Sequence, residues 1–472
     1  MEMSLPASGR RRWRTCFTGA AGFALLLLLA AAFTRLAVNV PRGPFADAVD
    51  FRAFYCAGAA LDARRDPYRV EPMRSCQRGV LAAAGIGVGP HLLPAPFPPY
   101  AIAAFGVIAR FPYRPAAGVW FAASILAVAL TVVLTSELSG IRPARVAPAL
   151  LFAAGIVPLL VAQIVPLVLA GALAAALAAR RGRGWGVAGG ALVLALEPHL
   201  ALPVWLCLLT GGGPARRPLL FAGALPVALT LLAGPALDLE YVRAVLPQHA
   251  RSELLNFGEQ YALSPLLVGL GVPFADALRA GAVAYTLMLV AGVAAGGGLA
   301  RRTGDRAFCV TVPLACSVVG GPFLHVHQIA VALPLGFMLL ARQRRGSAGF
   351  ALTLTAIAAL AVPWQTIREA LPVPAIPPGL PVSDTLHASD TPDASIETPY
   401  TAYVDALAPR VYGRSFADLA LWKLPTWGGL IVLAAVAGFA ARPDRYLPRA
   451  LTGTELLDPN IRSPASPKPG TM

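Results

Sequence analysis

The chain has 472 residues, 57% of them hydrophobic and only 13% charged, with a formal net charge of +15; its mean hydropathy is +0.64. A soluble domain carries about 25% charged residues, so this composition excludes an ordinary soluble enzyme and points to an integral membrane protein whose length is spent on many spans. The basic residues fall in short clusters between apolar runs, the pattern of orientation signals and anionic-lipid contacts, which excludes nucleic acid as a partner.

In chain order, a basic cluster from Arg10 to Arg14 precedes an apolar run from Phe17 to Leu36. No convincing small-x-small cleavage site follows it, so it reads as a retained first span with residues 1–15 in the cytoplasm. The segment 41–96 is then extracytoplasmic. Within it Asp47 and Asp50 stand three residues apart, and Phe51, Phe54, Tyr55, Gly58 and Leu61 follow at helical spacing. This predicts a short amphipathic helix that starts at Asp50, lies against the membrane surface and stops before Pro67. Asp50 reads either as the N-cap of that helix or as a carboxylate held for chemistry, and the two roles are compatible.

Short apolar segments follow from Pro96 to Phe111 and from Ala116 to Leu134. The run from Val146 to Ala179 is interrupted at Pro158, Gln163 and Pro166. Unpaired backbone is not tolerated against lipid, so this is a broken span buried against protein or water. Arg180, Arg181 and Arg183 end it on the cytoplasmic side. Glu197-Pro198-His199 then forms the tip of a helical hairpin, because basic loops flank it on both sides. Arg301 and Arg302, and later Arg342, Arg344 and Arg345, mark further inner loops. The outer segments are 41–96, 238–276, 320–328 and 364–423. Residues 442–472 read as a cytoplasmic, disordered tail. The whole predicts an all-α polytopic membrane protein with one transmembrane domain, residues 16–441, about ten to twelve spans and both termini in the cytoplasm.

Of the six cysteines, Cys56 and Cys76 both fall in the first outer loop and are expected to form a disulfide. No His/Cys/Asp/Glu group has the spacing of a structural zinc site, so no cofactor is required; a divalent ion bridging Asp50 and a substrate phosphate remains compatible with the residues.

Four features, spread over residues 15–345, resemble the polyprenyl-phosphate-dependent glycosyltransferases of the GT-C superfamily, and among them glycosyltransferase family 87. These are Asp50-Phe51 leading to Asp66-Pro67-Tyr68; Phe97-Pro98-Pro99-Tyr100 at the start of a span; Gln163 opening a short helix after a broken span; and the outer turn Gly321-Pro322-Phe323-Leu324-His325-Val326-His327. The resemblance implies a multi-pass enzyme of a bacterial cytoplasmic membrane with its site on the extracytoplasmic face. Its donor would be a sugar, mannose or a related hexose or pentose, on polyprenyl phosphate, and its acceptor an envelope lipid or glycan. Asp50 would be the general base, with Asp47 as substitute. His325 and Arg52 would bind donor phosphate, with His327, Arg64 and Arg65 as secondary candidates; Arg64 and Arg65 equally suit lipid headgroups. Gln163 would contact substrate, while Glu197 and His199 read as cavity-lining on separate grounds, because ionisable groups at membrane depth face a cavity. Family members commonly carry Lys-Pro where this chain has Glu197-Pro198, which puts phosphate binding at that point in doubt. A transporter or lipid flippase, or a non-catalytic envelope-assembly protein, is the competing reading; the first usually shows inverted repeats, and no second copy of the Asp50 stretch or the Glu197 hairpin is found.

Overall fold

A computed structural model of the chain describes residues 49–83, 92–156, 159, 161–211, 213–255, 260–321, 323–362, 364, 392–401 and 416–441. The expected N-terminal segment 1–15, the span from Phe17 to Leu36, Asp47, most of 364–423 and the tail 442–472 lie outside the described residues.

Among the described residues the chain is helical, with two isolated bridges and no strand. The first part comprises α1 (Val49–Asp62), α2 (Val70–Ala83), α3 (Pro99–Ala109), α4 (Tyr113–Ser139) and α5 (Pro143–Leu150), the last continued by a π-helical turn, Leu151–Ile156. Next come α6 (Val165–Arg180), α7 (Gly184–Leu194), α8 (Pro198–Thr210), α9 (Arg216–Ala233), α10 (Pro235–Glu240), α11 (Leu246–Leu255) and α12 (Leu263–Gly269). The last part holds α13 (Phe274–Thr303), α14 (Phe308–Ser317), a 3-10 segment (Val326–Ala332) running into α15 (Leu333–Ala341), α16 (Ala348–Ala361) and α17 (Phe416–Ala441). Proline opens α3, α5, α6, α8, α10 and α15, where its missing N–H costs no intrahelical bond. Glycines in the left-handed region close α4 and α13.

Among the described residues, four helices are long and apolar enough to cross a membrane: α4, α9, α13 and the Ala420–Ala441 part of α17. Eight shorter apolar helices accompany them. One of these, α6, has 16 residues and rises only about 24 Å. Its residues are nevertheless almost all buried, so its partners are other helices on every side.

The helices run between two ends of different chemistry. The α6 helix leads from Gln163 to Arg180, α8 from Glu197 to the Arg216 loop, α14 from Asp305 to Ser317, and α15 from His327 to Arg342. At the basic end, Arg180 and Arg342 converge on Asp305, with Nη2 atoms 2.7 Å and 2.5 Å from Asp305 Oδ2. Three loops distant in sequence are tied there through one carboxylate.

Two expectations change. The helix beginning at Asp50 forms and stops before Pro67, but it is enclosed rather than laid on a surface: Phe51, Cys56 and Ala57 are fully buried. The reason is a close approach to α3, where a Cβ on Gly58 would strike the backbone of Phe105 and Gly106. Helix α17 also starts at Phe416, inside the segment 364–423 that was expected to be an outer loop, so Lys423 lies inside a helix. Its ammonium is buried, donating to the Gln260 carbonyl and standing 4.8 Å from the Tyr261 ring centroid, which removes the need for a water-exposed loop.

Cys56 and Cys76 are joined, linking α1 to α2. Blocking the free thiols of the denatured chain before and after reduction is expected to reveal two additional reactive cysteines by mass, and loss of the link in Cys76→Ser should destabilise the fold by about 3 kcal/mol. Gly58→Ala is expected to lower the thermal midpoint in detergent, at a cost of about 1–3 kcal/mol for overpacking. Gly79→Ala, whose Cβ meets open space, should leave the midpoint unchanged or raise it.

Candidate functional site

At the end opposite the Arg180–Asp305–Arg342 cluster, the helix starts surround a cavity of about 720 Å³. That is within the range of small-molecule sites, about 300–1,000 Å³. Asp50, Gln163, Glu197, His199, His325 and His327 all line it, although they are scattered over nearly 280 positions of sequence.

Asp50 sits in the first turn of α1. Behind it the Phe51 ring stacks on Trp120, with centroids 5.2 Å apart. Trp120 Nε1 donates to the carbonyl of Ala162 at 2.9 Å. Ala162 has φ 57°, a left-handed conformation that turns the chain just before α6. This turn aims Gln163 into the cavity, and Gln163 Nε2 donates to Asp50 Oδ2 at 2.6 Å. One aromatic pair therefore positions both a carboxylate and the amide that holds it.

The second wall is polar and buried. Glu197 precedes α8 and is 5% exposed. Gln328 Nε2 lies 3.2 Å from Glu197 Oε2 and 3.1 Å from His199 Nε2. His199 Nδ1 is 3.4 Å from Glu197 Oε2, and Tyr285 donates to the His199 carbonyl at 2.6 Å. The Gln328 Oε1 atom in turn accepts from the N–H of His325 at 3.0 Å, fixing the turn. His325 is extended (φ −80°, ψ 153°), and its ring stacks on that of His327 with centroids 5.1 Å apart. The two histidines thus share one face, as an extended turn requires and a helix would forbid.

The third wall comes from α11 and from 392–401. His249 and Glu253 stand one helical turn apart, and Glu253 is fully buried. Tyr400 donates to Glu253 Oε1 at 2.7 Å, and Gln260 Nε2 to Oε2 at 2.5 Å. His249 Nδ1 lies 3.3 Å from Glu397 Oε2. Burial works against an imidazolium at His249, but the Glu397 and Glu253 carboxylates outweigh it and raise its pKa. His325 is shifted the other way: burial lowers its pKa, partly opposed by Glu253. Burial, reinforced by Glu253, pushes Tyr400 well above the usual phenol range, so it keeps its proton and donates it to the Glu253 carboxylate.

Arg52, Arg64 and Arg65 do not line the cavity. Arg52 is buried beside Tyr113, and Arg64 and Arg65 are exposed at the turn after α1. Among the described residues, no Arg or Lys lines the cavity at all, whereas four of the six histidines do. The residues that sequence reasoning missed are His249, Glu253, Gln260, Gln328 and Tyr400. The i, i+4 spacing of His249 and Glu253 on a polar stretch was a usable signal. Nothing in the sequence links Tyr400 to either. No protein-family model matches the chain, and neither a curated protein nor a solved structure does.

Tyr400→Phe removes the phenol donor from a buried carboxylate and is expected to cost about 1–3 kcal/mol. Ser395→Ala, which removes an exposed bond to Gln248, should change stability by less than about 0.5 kcal/mol. Thermal unfolding of the two purified variants in the same detergent compares them.

Proposed function

We propose that the chain is a membrane glycosyltransferase that moves a sugar from polyprenyl phosphate to an envelope lipid or glycan, with Asp50 as general base. The observation that carries this reading is the Asp50–Gln163 pair, a carboxylate held by an amide at 2.6 Å on the wall of the cavity. It is supported by the resemblance to glycosyltransferase family 87, whose motif positions Asp50, Gln163 and His325 come together around one space. A bundle of about ten to twelve spans is part of the same proposal, and its placing of this cavity on the extracytoplasmic face is supported by the basic loops gathered at the far end.

A glycosyl phosphate leaves as a weakly basic anion, so no strong general acid is needed. What is needed is a base for the acceptor hydroxyl and positive charge for the departing phosphate. Asp50 takes the proton as the hydroxyl oxygen attacks the anomeric carbon; the bond from that carbon to the phosphate oxygen breaks and configuration inverts. Gln163 holds the Asp50 carboxylate in place for that attack. His325 and His327, stacked on one face of the lining, would donate to the phosphate. The absence of Arg and Lys from the described lining favours a second reading, a transporter for a less anionic solute, in which the Glu197–His199–Gln328 group would carry a proton.

Membranes containing the protein, incubated with radiolabelled polyprenyl-phosphate mannose and an envelope lipid extract, are expected to label a new lipid. Asp50→Asn should slow this about 10²- to 10⁴-fold. Equal rates for the two proteins would remove Asp50 as base, and retention of anomeric configuration in the product would sink the single-displacement scheme. Labelled substrate crossing vesicles without covalent transfer would establish the transporter instead.

A further inference from the structure

We infer that His249, Glu253 and His325 form a binding site for one divalent transition-metal ion of the zinc type on the cavity wall. His249 Nε2 lies 3.7 Å from Glu253 Oε1, and His325 Nε2 lies 3.6 Å from Glu253 Oε2. Both separations are too long for good hydrogen bonds. Both are close to the roughly 3.4 Å between donors bound to one ion at about 2.1 Å and a tetrahedral angle. The two contacts use different oxygens of Glu253, and the ion would displace the Gln260 amide that stands 3.1 Å from His325 Nε2. Each of the three residues offers one ligand atom, and all three atoms lie within 4.8 Å of one another.

The surroundings have the form of a metal site's outer shell. His249 turns its other ring nitrogen to Glu397 Oε2 at 3.3 Å, the carboxylate–histidine arrangement that orients a ligating imidazole. Glu253 is steadied by Tyr400 and Gln260. Gln260 is itself fixed, because its Oε1 accepts from the Leu324 N–H at 2.6 Å. His249 and Glu253 are presented on the same face of α11, and the bridge between Gln260 and His325 brings the third ligand to them. Two imidazoles and one carboxylate suit zinc and its first-row neighbours rather than magnesium or calcium, which prefer all-oxygen sites. All three ligands line the cavity, so the remaining coordination position faces it.

The inference rests on this geometry and not on the transferase reading. It also bears on that reading: a bound ion would take over from His325, whose Nε2 it occupies, the role of positive charge toward phosphate in a cavity whose described lining has Asp50, Glu197 and Glu253 but no Arg or Lys.

The full-length protein in detergent, stripped with a chelator and then titrated with Zn²⁺ alone, tests it by calorimetry and by elemental analysis after desalting. The expected result is about one ion per chain in the wild type, abolished in Glu253→Gln and in His325→Ala. Glu397→Gln should bind about 10- to 100-fold more weakly. The partly exposed His325 keeps the test open should Glu253→Gln fail to fold, with monodisperse elution as the criterion. A Cys207→Ser, Cys309→Ser double variant should bind as the wild type does, because those buried thiols lie at the basic end. Absence of binding by folded wild-type protein at tens of micromolar Zn²⁺ would overturn the site, leaving a hydrogen-bonded network only. So would undiminished binding in folded His325→Ala, or loss of binding in the cysteine variant.

Discussion

Between Ala162 and Val165 the backbone leaves helical geometry inside an apolar bundle, and a side chain answers for the break. Backbone groups cannot be left unpaired in such surroundings. The indole of Trp120 takes the Ala162 carbonyl, and Gln163 Oε1 accepts from the N–H of Ile164. Trp120 in turn is held by stacking on Phe51, one residue from Asp50. The left-handed turn, the broken span and the position of the carboxylate are thus one mechanical unit.

The same logic repeats around the cavity. Glu197 interrupts the α7–α8 hairpin, and the 3-10 segment from Val326 interrupts the approach to α15. At these interruptions polar side chains supply the partners: Gln328 for Glu197 and His199 and Gln260 for the Leu324 N–H; beside them Tyr400 does the same for Glu253 within α11. Polar groups are costly in an apolar bundle unless paired, so clustering the breaks lets each satisfy the next. A cavity ringed by carboxylates and imidazoles is the product.

Charge is divided between the two ends. Arginine serves the far end, where Arg180 and Arg342 share Asp305 and tie the loops that follow α6, α13 and α15. The cavity end has only histidine as a source of positive charge among its described lining residues. The same lining carries three carboxyl groups, those of Asp50, Glu197 and Glu253. A bound cation or protonated imidazoles would therefore govern which substrates are admitted, and the His249–Glu253–His325 group is where the geometry concentrates that role.

Much of this was legible in the residues alone. Composition dictated a helical membrane protein, because an apolar chain with few charges can satisfy its backbone only within helices or a closed barrel. Proline and glycine marked most helix ends, since their effects on φ and on backbone donors are local. Asp50, Gln163, Glu197, His199, His325 and His327 could be singled out because polar residues stand out against apolar runs, and the pairing of Cys56 with Cys76 followed from their place in one loop. The enclosure of α1 was not legible, since it depends on Gly58 meeting Gly106, two glycines with no local signature. Nor was the displacement of Arg52, Arg64 and Arg65 from the cavity, because helical phase at a short helix is decided by what packs on it. Least legible was the meeting of His249 and Glu253 with His325, Glu397 and Tyr400. Their nearness is a property of how α11, the Gln260–His325 bridge and the segment 392–401 dock together, and only the tertiary structure decides that, because long-range docking is set by packing surfaces that no local pattern records.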